Sequence, residues 1–186
     1  MNRSSASSYE PYATQLAACS VRSRVAFALG VAELANATID IPADVAERIR
    51  MTFGLAWQWE QSGDVSGDDI SDALDNEKDG IGFDGHRVAT SQKSAWVAVI
   101  TALYYVCWHA YIVSGNERGM SEVVCEVGEE TIDQVIDYAR QVPGFNQAAV
   151  DRLAQYCIAN HRAADDKDLG APISRETMLE VAGWAS

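Results

Sequence analysis

Apolar residues recur at helical rather than strand spacing along nearly the whole chain. Across residues 12–36, Leu16, Cys19, Val21, Val25, Ala28, Leu29, Ala32 and Leu34 form a wide apolar face with Arg22 and Arg24 outside it, which predicts a helix. A connector, Thr38-Ile39-Asp40-Ile41, leads to Pro42 in the place of a first helical residue. A second helix follows to about Gln61. In it Val45, Ile49, Phe53, Leu55 and Ala56 keep the period, and Asp44 and Glu47 lie in the first turn, where the helix dipole favours acids. Residues 129–142 are amphipathic, with Ile132, Val135, Ile136 and Ala139 inward and Pro143-Gly144 as the stop. Asn146 opens a helix that buries Val150, Leu153, Cys157 and Ile158, and Ser174 caps the last, which carries Met178, Val181 and Trp184. Residues 115–128 lack a clear period; Val123-Val124-Cys125 suits a short strand as well as a helix.

Two stretches leave the amphipathic pattern in opposite directions. Residues 95–113, AWVAVITALYYVCWHAYIV, are apolar on every side, and at ~1.5 Å per residue they reach about 28 Å, close to a bilayer core. Thr101, Tyr104, Tyr105, His109 and Tyr111 fall within them, however, and hydrocarbon would leave those polar groups unpaired. The stretch therefore reads as the buried central helix of a bundle, residues 91–114, ending at Ser114-Gly115-Asn116.

The other stretch is residues 60–84, EQSGDVSGDDISDALDNEKDGIGFD. It carries nine carboxylates and one cation, Lys78, so its charge of −8 is more than half of the −13 on all 186 residues. Such crowding is tolerated where water or a basic partner solvates it. Ser66-Gly67-Asp68-Asp69 has the capping-box spacing, and Ile70, Ala73 and Leu74 then make one short face for docking. The expectation is a small docked helix with Asp68, Asp69, Asp72, Asp75 and Asp79 turned away from the core. Residues 76–87, with Gly80, Gly82 and Gly85, read as a loop into the central helix.

An apolar fraction of 48% and a charged fraction of 22% are those of a folded globular protein. The organisation predicted is a disordered leader, residues 1–11, and a single helical domain over residues 12–186. The fold class is all-α, a bundle of about six or seven helices. The negative field argues against nucleic acid and anionic membranes as partners and favours a basic one. The N-terminus has no apolar core of a secretory signal. Cys19, Cys107, Cys125 and Cys157 are scattered in apolar helical settings and read as reduced core residues of a cytoplasmic protein.

Candidate chemistry changes little. Asp75-Asn76-Glu77-Lys78-Asp79-Gly80 opens like a calcium loop, but position twelve, which should be a bidentate Glu, is His86, and position eight is Gly82. Cys157 and His161 share a helix face, whereas Cys107 and His109 point apart, and no HExxH or CxxC pattern completes a site. The pairs Asp68/Asp72 and Asp72/Asp75 lie in an exposed run, where solvation replaces the burial that acid–base work needs. With no nucleophile elbow or phosphate loop, no metal, cofactor or catalytic residue is expected. His109 reads as a core residue beside Tyr105; a small helical enzyme or ligand-binding domain with a pocket near His109 is the alternative. Trp57 and Trp59, about 200° apart on a helix, are not expected to face inward together. Trp59 beside the carboxylates has the composition of a protein-binding hot spot.

The tract GDVSGDDISDALDNEKDGI, followed about ten residues later by KSAWVAVITALYYVCWHAY, resembles the sixth numbered family of all-α immunity proteins of bacterial polymorphic toxin systems. The resemblance spans roughly residues 53–111 and rests on the Ser66-Gly67-Asp68-Asp69 cap, the Leu74-Asp75-Asn76-Glu77 tract and the helix from Trp96 to Tyr111. It implies a cytoplasmic protein that binds a cognate toxin domain, blocks its active site and needs no catalysis of its own. Together with the charge, it makes Asp64, Asp68, Asp69, Asp72, Asp75, Glu77, Asp79 and Trp59 the expected contact residues for a toxin with a basic surface.

Overall fold

The computed structural model of the chain describes residues 10–184. Its elements are α1 (Tyr12–Leu16), α2 (Val21–Asn36), α3 (Ala43–Ser62), α4 (Gly67–Asp75), α5 (Lys93–Ser114), α6 (Glu122–Cys125), α7 (Thr131–Ala139), α8 (Gln147–Asn160) and α9 (Arg175–Ala182). Three 3₁₀ segments, Ile81–Arg87, Thr90–Gln92 and Glu117–Gly119, join them. Seven of these helices are eight residues or longer, and the described residues contain no strand, so the all-α bundle stands. Of the expected leader, residues 1–9 lie outside the described residues; Glu10 and Pro11 are exposed and lead into α1.

The bundle is built around α5, which packs on α2 and α7 along one side and on α4 along another. Ala98, Val99, Ala102, Leu103, Val106 and Cys107 are fully buried within it. Residues Thr90–Ser114 are long and apolar enough to cross a membrane by length and composition alone, and 56% of that window is buried inside the bundle. The polar groups that argued against a span are met by protein. Tyr104 donates to Asp75, Tyr105 to Glu129 at 2.7 Å and Tyr111 to Asp68 at 2.8 Å, so each phenol ends on a carboxylate.

Four local expectations are corrected. The single helix over residues 12–36 is two, because residues 17–20 turn aside to meet the chain returning from α8. Cys19 bridges Arg162, Ala163 N–H donates to the Ala18 carbonyl at 2.9 Å, and Ser20 N–H donates to the His161 carbonyl at 3.0 Å. The first N–H groups of α2, at Val21 and Arg22, then donate to the carbonyls of Asp168 and Leu169, replacing a side-chain cap. Val123-Val124-Cys125, which suits a strand or a helix by sequence, is the helical turn α6, opened by Ser121. Cys125 is exposed on it, whereas Cys19, Cys107 and Cys157 are buried, all four as free thiols. The loop of residues 76–87 coils into 3₁₀ helix from Ile81 to Arg87 and buries Ile81 and Asp84.

The fourth correction concerns the tryptophans. Trp57 and Trp59 are 5% and 2% exposed, so neither is displayed beside the carboxylates. Opposite faces of α3 are both covered, since α3 packs on α2 as well as on α4 and α5. Trp57 donates to the buried Glu33 at 3.2 Å, and Glu33 also accepts Arg175 from the start of α9. Glu60, fully buried on the same helix, accepts the Ile173 N–H at 2.6 Å. Two carboxylates thus tie the extended segment before α9 to the bundle.

Candidate functional site

The acidic stretch folds as its spacing requires. Ser66 Oγ accepts the Asp69 N–H at 3.1 Å while Asp69 accepts the Ser66 N–H at 3.0 Å, closing the capping box with an aspartate. Ile70 and Leu74 are fully buried against α5, and Ala73 is half-buried. The two helices run antiparallel, for Asp68 meets Tyr111 and Asp75 meets Tyr104, two turns apart on each. Gly67 allows the approach: a Cβ there would lie 2.6 Å from the Tyr111 ring. Burial first, and then the facing carboxylates, raise Tyr104 and Tyr111 above the ordinary phenol range. Burial and the same carboxylates, Asp75 and Asp68, push the Cys107 thiol up to about 12.

Docking by one face leaves the other in water. Asp64, Asp68, Asp69, Asp72, Glu77 and Asp79 are exposed, but two acids expected to turn away from the core reach towards α5 instead: Asp68 accepts from Tyr111, and Asp75 is half-buried with its two oxygens taken by Tyr104 and Ser121. Among the described residues none of these seven carboxylates forms an ion pair. The Asn76 side chain donates to Asp72 at 2.9 Å and accepts the Lys78 N–H at 3.0 Å, which shapes the turn carrying Glu77 and Asp79. Gly80 closes that turn where a Cβ would stand 2.6 Å from the backbone of Asn76 and Leu74. Two acids of the stretch leave the face altogether. Glu60 is buried, and burial lifts its carboxyl to about 7. Asp84 is buried between Arg48 and Arg87, which also hold Asp44; the Arg87 hydrogen bond draws the Asp44 carboxyl down to about 2.

Beside the displayed carboxylates runs a groove of about 210 Å³ between α3 and α4. Met51, Leu55 and Ala73 supply apolar surface to it, Asp72 and Asp79 line it from the acidic side, Arg48, paired with Asp44 and Asp84, lines it from α3, and Met51 is 59% exposed. Such a groove suits a lysine or arginine whose stem lies on apolar atoms while its charged head reaches a carboxylate. Met51 is a contact that helical periodicity does not announce, because it lies outside the buried stripe of α3. The signal that could have announced the pairing of α4 with α5 is the equal spacing, seven residues from Asp68 to Asp75 and seven from Tyr104 to Tyr111.

The remaining candidates do not converge on a reaction. Asp75 is engaged by two hydroxyls, His86 holds the Phe83 carbonyl at 2.8 Å, and no three His, Cys, Asp or Glu side chains gather to hold a metal among the described residues. Cys157 donates to the Ser23 carbonyl, while His161 faces the Tyr156 hydroxyl at 3.4 Å. His109 is 2% exposed, with its ring edge-on to Tyr105 and Trp108 at 4.6 Å each. Burial, followed by the charge of Arg24, lowers it to about 3, so its imidazole is neutral at physiological pH. It adjoins a cleft of about 470 Å³, as the alternative reading expected.

Residues 23–142 match the model of a protein family described as immunity protein Imm6. No curated protein and no solved structure matches the chain.

Proposed function

The chain belongs to the Imm6 family of immunity proteins, and from that premise we propose that it neutralises a cognate bacterial toxin by stoichiometric binding through the outer face of α4 and the turn after it. The observation that carries this reading is the row of exposed carboxylates without ion-pair partners, fixed on a helix that is itself rigidly docked. Charges held in place lose little conformational entropy on pairing, and their summed field accelerates encounter with a basic surface. Asp64, Asp68, Asp69, Asp72, Glu77 and Asp79 present that field; Asp75 contributes its charge from a half-buried position. Toxins that act on nucleic acids carry basic channels, and an acidic helix occupying such a channel excludes the substrate without any chemistry by the immunity protein. The groove between α3 and α4 then receives one lysine or arginine of the toxin, next to Met51. The protein acts in the cytoplasm of the producing cell and its kin.

The test is association with the cognate toxin domain, followed at several ionic strengths. Reversing Asp72, Glu77 and Asp79 together to lysine should lower the association rate at least tenfold at low salt, flatten its salt dependence and leave the thermal transition in place. Association and cellular protection equal to those of the parent chain would exclude the acidic face as the contact.

A further inference from the structure

The cleft beside His109 is built differently from the acidic face. Trp108, Ile112, Val113 and Leu169 give it apolar walls, and Ile112 and Val113 are 39% and 47% exposed. At its buried side the His109 Nε2 has no hydrogen-bond partner, although the residue is 2% exposed. It stands 3.9 Å from Glu129 Oε1, beyond hydrogen-bond reach. Arg24, on the same cleft, pairs with Glu129 at 3.4 Å and keeps a buried Nε without an acceptor. Buried polar atoms are ordinarily paired, and neither of these finds a partner among the protein's own groups.

We propose that this cleft is an anchor pocket for a tyrosine side chain of the protein partner, its ring against Trp108 and Leu169 and its hydroxyl between His109, Glu129 and Arg24. A hydroxyl both donates and accepts, so one oxygen can bond a neutral imidazole or the carboxylate and also take the Arg24 N–H. A charged tip meets a like charge either way, since Arg24 and Lys167 line the cleft together with Glu117, Glu129 and Asp166. The exposed Ile112 and Val113 at the mouth argue for a protein rather than a free small molecule, since a ligand held inside the cleft leaves them in water. The cleft also joins the acidic face: Glu117 lines it, and Gly119, two residues on, lies against Asp68 and Tyr111. The choice of partner rests on the toxin-binding reading; the pocket's chemistry does not.

Two experiments separate them. In an NMR titration with p-cresol, the side-chain analogue of tyrosine, the signals of Trp108, His109 and Ile112 should shift saturably in the millimolar range. Toluene should bind about fivefold more weakly, the loss expected for one net hydrogen bond. His109→Phe should remove that difference. No saturable shift, or equal binding of toluene and p-cresol by the parent chain, overturns the pocket. In the second experiment Ile112→Glu should weaken binding of the cognate toxin domain at least tenfold without altering the thermal transition. An unchanged affinity overturns the partner assignment while leaving the acidic-face reading intact.

Discussion

Glu60 offers the sharpest test of how α3 is tied to the segment before α9. Its carboxyl is fully buried and rises from the ordinary 4.5 to about 7 because burial penalises the charged form; the Ile173 N–H, Gln61 and Arg22 offset only part of that. A carboxyl with a raised folded-state value holds its proton between those limits while the unfolded chain has lost it. Its contribution to stability is therefore full below about 4.5 and falls as pH rises through about 7. At about 1.4 kcal/mol for each tenfold change in proton affinity, the ceiling is about 3 kcal/mol, of which roughly 2.5 falls between pH 5 and pH 8. Glu60→Gln keeps an oxygen for Ile173 and removes the charge. Urea unfolding of both chains at pH 5 and pH 8 reads the effect as a double difference. The glutamine variant should gain roughly 2 to 3 kcal/mol on the parent between those conditions. His109, lowered to about 3, works in the opposite sense, since stability is lost as pH falls below its ordinary 6.5, and it cancels in the comparison. Parallel curves for the two chains would refute the reasoning and mean that water reaches Glu60.

Three further outcomes follow from the way α4 docks. Gly67→Ala places a methyl 2.6 Å from the ring of Tyr111, itself 1% exposed, and should cost about 1–3 kcal/mol in urea unfolding with an unchanged slope. A loss below about 0.5 kcal/mol would mean that the helices separate easily there. Ser66→Ala removes one half of the capping box and should cost about 0.5–2 kcal/mol, with faster amide exchange at Asp69 and Ile70; unchanged exchange would deny the cap its role. Tyr104→Phe and Tyr111→Phe each remove one phenol–carboxylate bond and should cost about 1 kcal/mol apiece, adding in the double variant because two helical turns separate them. Exchange in α8 should not change, and acceleration there would show that the bonds support more than α4.

Much of the fold is legible in the sequence for a plain physical reason: a buried helical stripe imposes a period, and a cap imposes a residue type. Ser66, Asn146 and Ser174 each accept the backbone N–H that their positions suggest. The misreadings share another cause, which is that periodicity describes a helix against one neighbour. Residues 17–20 look helical by themselves and are diverted by residues 161–163, far along the chain. Trp57 and Trp59 cannot share one face, yet both are buried, since α3 has neighbours on two sides. Charge counting has the same blind spot. Glu60 and Asp84 count equally with Asp72 in the sequence, but a backbone N–H takes one inward and two arginines take the other. The Met51 groove was hidden for the converse reason, as an apolar residue on the polar side of α3 carries no periodic signal.

The acidic helix resolves a conflict between folding and display. Seven carboxylates within sixteen residues repel one another, and on a flexible segment they would spread apart and lose any fixed pattern. Here the repulsion is opposed at the points where the helix touches the core. Asp69 turns its charge onto the first-turn backbone, where the helix dipole favours it. Asp68 and Asp75 accept hydrogen bonds from phenols of α5, so the two acids nearest the core become the bonds that hold α4 down. What remains, Asp64, Asp72, Glu77 and Asp79, faces water with its geometry set by the others. On the proposed reading, weakening the tyrosine bonds should therefore blunt toxin association, because a loosened helix must be reordered during encounter. In Tyr104→Phe/Tyr111→Phe the association rate should fall together with the exchange protection of α4. A normal rate on a loosened helix would show that the field alone, rather than its fixed pattern, is what the partner reads.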